Sequence, residues 1–320
     1  MKRFCRLLSL LVFLALSAGL PFAAHAADVA QVAQAAADKP AEQEALPLFA
    51  PVLFHVGPIP VTSSMVVTWI VAIAIIIFAQ ASTRNMKEVP EGAQNFCEWL
   101  VQGLYDLLEG VIGHQLVKRT FWFFATIFIL ILFSNWFGLI PGVGSIGWGN
   151  PIGPFSIDHV ARPLFRGANA DFNMTFAMSI VFFALWIYWA VSSNGFGGFI
   201  KHLFAPKGEF TGLMLVFMVV IFIAVGLLEV VSILFRPVSL SFRLYGNIYA
   251  GENMLEAMSN LVQHPVWLKE VCSVIIPIPF YFMEILVGLV QALVFMLLTS
   301  VFTLLICAHG EEGHGAEPHN

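Results

Sequence analysis

Residues 210–261 read FTGLMLVFMVVIFIAVGLLEVVSILFRPVSLSFRLYGNIYAGENMLEAMSNL, an apolar run far longer than one upright membrane crossing requires. About 52 residues make about 78 Å of helix, against ~30 Å of hydrocarbon in a bilayer. The run must either fold as a short hairpin or lie strongly tilted, kinked near Pro237. The polar residues that follow Pro237 favour the second form, a long tilted helix buried in protein. Within it stands Arg243. A guanidinium at bilayer depth costs at least ~2.5–3.5 kcal/mol on insertion scales, and with a pKa above ~12 it has no neutral form to retreat to. A permanent positive charge is therefore expected to serve a function at this point.

Composition agrees with a membrane setting. Hydrophobic residues make up 59% of the 320 positions and charged ones 11%, against about 25% charged in a typical soluble domain. The net charge of −5 leaves no basic face for nucleic acid. Lys2, Arg3 and Arg6 precede the apolar run Leu7 to Leu20 and then Ala24-His25-Ala26, the layout of a cleavable signal peptide over residues 1–26. An extracytoplasmic segment over residues 27–60 follows; its first part, 27–50, lacks apolar periodicity and reads as disordered or loosely docked. The cysteines, Cys5, Cys97, Cys272 and Cys307, show no Cys-x-x-Cys spacing, so neither a disulfide framework nor a metal site is encoded.

The rest reads as an all-α polytopic membrane domain over residues 61–308, with about five spans near 61–80, 121–140, 174–193, 210–261 and 271–307. Arg84, Lys87, Lys118 and Arg119 place the loop between the first two spans in the cytoplasm. Inside that loop Phe96, Leu100, Leu104, Leu107, Leu108 and Val111 recur at helical spacing and predict an amphipathic helix. Pro141 to Asn173, rich in Gly, Pro and Asn, is then extracytoplasmic, and Lys201, His202 and Lys207 return the chain to the cytoplasm. Pro277 and Pro279 break the start of the last region, and the acidic tail 309–320 ends inside.

On a helix, Glu229, Arg236 and Arg243 are seven apart and share a stripe, with Ser239 and Asn247 four residues either side of Arg243. Glu252, nine beyond Arg243, lies off that stripe and about 13.5 Å further along. Glu284 and Gln291 are again seven apart on the last helix. Polar residues such as Ser239 or Gln291 can simply satisfy one another between helices, and Arg236 beside Pro237 reads as a snorkelling interfacial residue. Arg243 fits neither explanation.

The run Arg243-Leu244-Tyr245-Gly246-Asn247 followed by Ala250-Gly251-Glu252 resembles the arginine helix of the subunit a family of rotary F-type ATP synthases. The likeness covers residues 60 to 308, with further echoes at Asn135, Asp171, Asn173, Glu229 and Gln291-Ala292-Leu293. It implies a non-catalytic, proton-translocating stator subunit of the bacterial inner membrane, N-terminus outside and C-terminus inside. Its implied partners are the c-subunit ring, b subunits of the peripheral stalk, the rest of the FoF1 complex and lipid, with no cofactor. Arg243 would gate two offset half-channels, Asn247, Glu252, Glu284 and Gln291 lining the outer one, Glu229 and Ser239 the inner. Some members carry His where this chain has Glu284, so both partners here are carboxylates, and two nearby carboxylates in a low dielectric are expected to share a proton. Sodium coupling is the alternative within the family. A secondary transporter would need an internal repeat, and a metalloprotease a His-Glu-x-x-His motif; neither is visible.

Overall fold

The computed structural model describes residues 50–56, 59–140, 165–204, 213–262 and 266–312, together with four short strands between residues 147 and 163. The expected signal peptide, the 27–49 stretch and the tail beyond residue 312 lie outside the described residues.

Among the described residues, five helices are long and apolar enough to cross a membrane. The chain opens with a small departure from the all-α expectation. Strands β1 (Val52–Val56) and β2 (Ile59–Thr62) pair antiparallel, with Phe54 opposite Val61 and a register shift between Val52 and Phe54. Val61, expected at the start of the first span, is thus a strand residue, and helix α1 runs over Ser63–Thr83. The short strands β3 (Gly147–Trp148) and β6 (Arg162–Pro163) form another pair, as do β4 (Pro151–Gly153) and β5 (Ser156–Ile157).

The amphipathic helix forms as α2 (Ala93–Ile112), and α3 (His114–Gly138) follows it through a single residue. Gly113 makes that turn at φ 77°, a conformation that a side chain disfavours, and its N–H donates to the Glu109 carbonyl at 3.0 Å. Leu104, Leu108 and Ile112 are the buried face of α2, whereas Phe96 and Leu107, expected on that face, are exposed. The reason is that α2 meets its neighbours along one narrow stripe rather than the full apolar arc. The second span also starts seven residues earlier than expected, because His114 to Thr120 continue the helix.

Helix α3 is the centre of the bundle. Phe123, Phe124, Ile131 and Phe128 pack with Phe182 and Trp189 of α4 (Phe172–Phe204); Phe123 and Trp189 meet edge to face at 5.8 Å between ring centroids. Helix α4 changes direction at Gly195, where φ is 68°. Helix α5 is then one element, Leu213–Ser259, of 47 residues and so about 70 Å. It runs through Pro237, whose missing N–H frees one carbonyl. The Ser241 hydroxyl lies near this point, 2.7 Å from the Pro237 carbonyl and 3.4 Å from that of Thr175 in α4. Of the hairpin and long-helix alternatives, the long helix is the one that forms. The described residues do not bury it, however: only 17% of its most apolar window is buried among them. Leu227, Leu228, Leu234, Phe235 and Phe242 lie open. Among the described residues, Phe172 of α4 meets this flank at Phe242 and the other side chains stay open. Helix α6 (Val266–Ile275) stops before Pro277, and α7 (Pro277–Glu312), of 36 residues or about 54 Å, packs against α3, α4 and α5. Neither α5 nor α7 can stand upright in ~30 Å of hydrocarbon.

Candidate functional site

Where α5 crosses α7, the two helices place their polar residues against each other. The Asn247 amide donates to Gln291 Oε1 at 2.8 Å. One turn further along α5 and two turns back along α7, Glu284 is 4% exposed and packs on Gly251 so closely that a Cβ there would lie within its carboxyl group. Glu284 Oε1 has no hydrogen-bond partner among the described residues. Glu252, the next residue along α5, is near enough to Glu284 for the two charges to interact. Four residues expected to act together, Asn247, Glu252, Glu284 and Gln291, therefore form one seam.

The other side of Glu252 is closed by a residue that the sequence reading did not single out. Arg166 is 5% exposed, and its Nε lies 3.9 Å from Glu252 Oε2. Behind it, Gly167 lets the loop approach: a Cβ there would stand 2.7 Å from Glu252 Oε1. Nothing in the local pattern marks Arg166; only the close approach of residues 165–167 to α5 brings it to the seam.

A second polar cluster fixes the ends of these elements. Asn135 of α3 donates to the Gly288 carbonyl of α7 at 3.0 Å and accepts from the Asn169 amide at 2.6 Å. Trp136 adds a bond to the Ile285 carbonyl at 3.2 Å. Asp171, ahead of α4, accepts from the Ser64 hydroxyl at 2.6 Å and from the Asn173 backbone N–H at 3.0 Å. Burial pushes the Asp171 carboxyl up from its ordinary value, while Ser64, Asn173 and Arg166 pull the other way. Asn169 and Ser64, like Arg166, carried no signal of their own in the sequence.

Arg243 stands apart from both clusters. It is exposed on the open flank of α5, as is Ser239, and among the described residues no ion pair is formed by it. Phe172 packs beside it, 4.8 Å from Phe242 and 5.9 Å from Tyr245 between ring centroids. Glu229 is half-buried and acts electrostatically on Arg236. Arg236, expected as a snorkelling residue, lies against two aromatic rings. Its guanidinium carbon sits 4.6 Å from the Phe302 ring centre and 5.2 Å from that of Trp186. Trp186 is held in turn by its N–H bond to the Phe302 carbonyl at 3.0 Å.

Five long apolar helices among the described residues, two of them joined by a polar seam where they cross, define a polytopic membrane protein. Residues 65–303 match the family described as ATP synthase A chain, and the chain belongs to that family. The ATP synthase subunit a of Gloeobacter violaceus is 30% identical over 254 residues, 78% of this chain and 85% of that protein. That of Moorella thermoacetica is 30% identical over 250 residues, covering 78% and 93% of the two chains. That of Campylobacter jejuni is 29% identical over 262 residues, 82% of this chain and 91% of its own. Membership makes the chain a multi-pass membrane subunit of the Fo stator, with a non-catalytic role within the FoF1 complex.

Proposed function

We propose that the chain carries protons between two offset aqueous half-channels along a ring of c subunits, coupling their flow to rotation. The observation that supports this most is the exposed Arg243, one helical turn from the start of the Asn247–Gln291–Glu284–Glu252 seam. A ring carboxylate can face lipid only when neutralised. Arriving ionised, it is attracted to the Arg243 guanidinium, which favours its deprotonated form and repels hydronium that would otherwise leak across.

Protons enter from outside along Asn247, Glu252, Glu284 and Gln291, with Glu252 and Glu284 sharing one proton between them. They leave to the cytoplasm past Ser239 and Glu229, after nearly a full turn of the ring. Each charge crossing yields about 2.3 kcal/mol per 100 mV, and rotation delivers that energy to ATP synthesis on other subunits. The absence of a Gly-x-x-x-x-Gly-Lys phosphate loop in the sequence accords with this division. The open flank of α5 suits the ring, and b subunits would pack elsewhere on the bundle. In this reading the protein lies in the bacterial inner membrane, its signal peptide (residues 1–26) removed, its N-terminus outside and its C-terminus inside.

Proton flux in inverted membrane vesicles carrying the whole complex tests the proposal, comparing the native chain with Arg243→Ala. Loss of ATP-driven pumping, with uncoupled hydrolysis or a passive leak, is expected. Normal pumping by Arg243→Ala would end this reading.

A further inference from the structure

Glu252 is enclosed by three stretches of backbone. Helix α5 carries it, α7 presents Glu284 on one side, and the 165–167 loop closes the other. The approach is tight because glycines line it: a Cβ on Gly138, at the end of α3, would be 3.1 Å from the Gly167 Cα, and one on Gly167 would be 2.7 Å from Glu252 Oε1. The charged groups that act on Glu252 are Glu284 from α7, Glu256 one turn along α5, and Arg166 from the loop. Asp171, itself under the influence of Arg166, completes the surroundings, with Tyr245 and Tyr249 on the same helix. Among the described residues carboxylates outnumber cations here, and the cation that faces Glu252 is Arg166, not Arg243.

We infer that Arg166 is a positioning residue of the ion path: its buried guanidinium holds the Glu252 carboxylate against the loop and offsets its charge, so that the Glu252–Glu284 pair carries a single mobile proton. This rests on the reading of that pair as the outer half-channel. Arg166 does not touch the ion. A proton taken from outer water neutralises one carboxylate of the pair and leaves it again when the ring carboxylate is protonated, while the fixed cation, 3.9 Å from Glu252 in this structure, stays in place. A guanidinium suits this task because it cannot release a proton of its own into the path.

ATP-driven proton pumping by the assembled complex in inverted vesicles, measured as a function of pH, tests the inference with Arg166→Gln, Arg166→Lys, Gly167→Ala and Glu252→Gln. Removing the cation makes ionisation beside it harder. Arg166→Gln is expected to slow pumping about tenfold, with the acid-side midpoint of the profile displaced upward by about one pH unit, a tenfold change corresponding to about one unit. Arg166→Lys, which keeps the charge, should recover most of the midpoint, and adding Arg166→Gln to Glu252→Gln should cost nothing more. Gly167→Ala leaves every charge in place and displaces the Glu252 carboxylate. At φ −47° the backbone accepts alanine, so this variant decides the matter where Arg166→Gln does not assemble, and slowed pumping is expected of it. An unmoved profile in Arg166→Gln, or unchanged pumping in Gly167→Ala, overturns the inference when Glu252→Gln still impairs flux. Unimpaired flux in Glu252→Gln overturns the reading of the pair itself.

Discussion

Replacing Asn135 by Ala should loosen the whole polar seam from a position that touches none of its carboxylates. Asn135 is buried, donates to the Gly288 carbonyl at 3.0 Å, and accepts from the Asn169 amide at 2.6 Å. Each such bond contributes about 0.5–1.5 kcal/mol net in proteins generally, and about 0.6 kcal/mol on average between membrane helices. Two bonds therefore give ~1–3 kcal/mol before any relaxation. The partners do not suffer equally. Asn169 retains a long contact to the Ile131 carbonyl at 3.4 Å, and Gly288 keeps its place in the helix ladder, so neither is fully stranded. A loss of about 2 kcal/mol is the expected centre of that range, roughly 5 °C in thermal midpoint for a domain of this size. Close packing leaves little freedom for repair, since a Cβ on Gly288 would already stand 3.1 Å from Asn135 Cβ. The assay is thermal inactivation of coupled pumping by the purified complex, read beside the amount of subunit it retains. Gly288 precedes Gln291 by three residues on α7, so pumping should fall before the subunit is lost. A midpoint within one degree of the native complex, with pumping unchanged, would refute the claim that this amide clamps α3 to α7.

Three other outcomes follow from the same geometry. Arg236→Lys keeps the charge but gives up the guanidinium's contacts with Trp186 and Phe302, and should lower stability by about 1–2 kcal/mol; equal thermal midpoints would show that these contacts contribute nothing. Glu284→Gln removes one member of the carboxylate pair and should change the pH dependence of proton flux, which an unaltered profile would contradict. Asp171 has its ordinary value of 3.8 raised by burial, so the folded state holds this proton more tightly than the unfolded one. Its contribution is full below that ordinary value and is lost as pH rises through the raised one. Relative to Asp171→Asn, the native chain should therefore lose thermal stability as pH climbs from about 4, then level off; a difference that grows the other way would show the Ser64, Asn173 and Arg166 contacts outweighing burial.

Much of the architecture was readable because it depends on composition and length. A run of apolar residues too long for an upright helix must tilt in any bilayer, and α5 forms as the single long helix expected from residues 210–261. The break before Pro277 needs only the ring that lacks an N–H. Helical spacing likewise brought Glu284 and Gln291 to one face of α7 and placed Asn247 near Arg243, because angular position along a helix is a local property.

Contacts between elements were another matter. That Glu284 would meet Gly251, that Asn247 would bond Gln291, and that α5 would leave its arginine flank open all depend on how two helices cross, which periodicity within either one cannot specify. Arg166 makes the contrast sharpest. By sequence it is one more cation in a loop rich in Gly and Pro, about 86 positions from Glu252. The close approach of residues 165–167 to α5, permitted by the missing side chain of Gly167, alone turns it into the buried partner of that carboxylate. Helix formation is decided by neighbours a few residues apart, whereas a buried charge finds its counterpart only when distant backbones close around it.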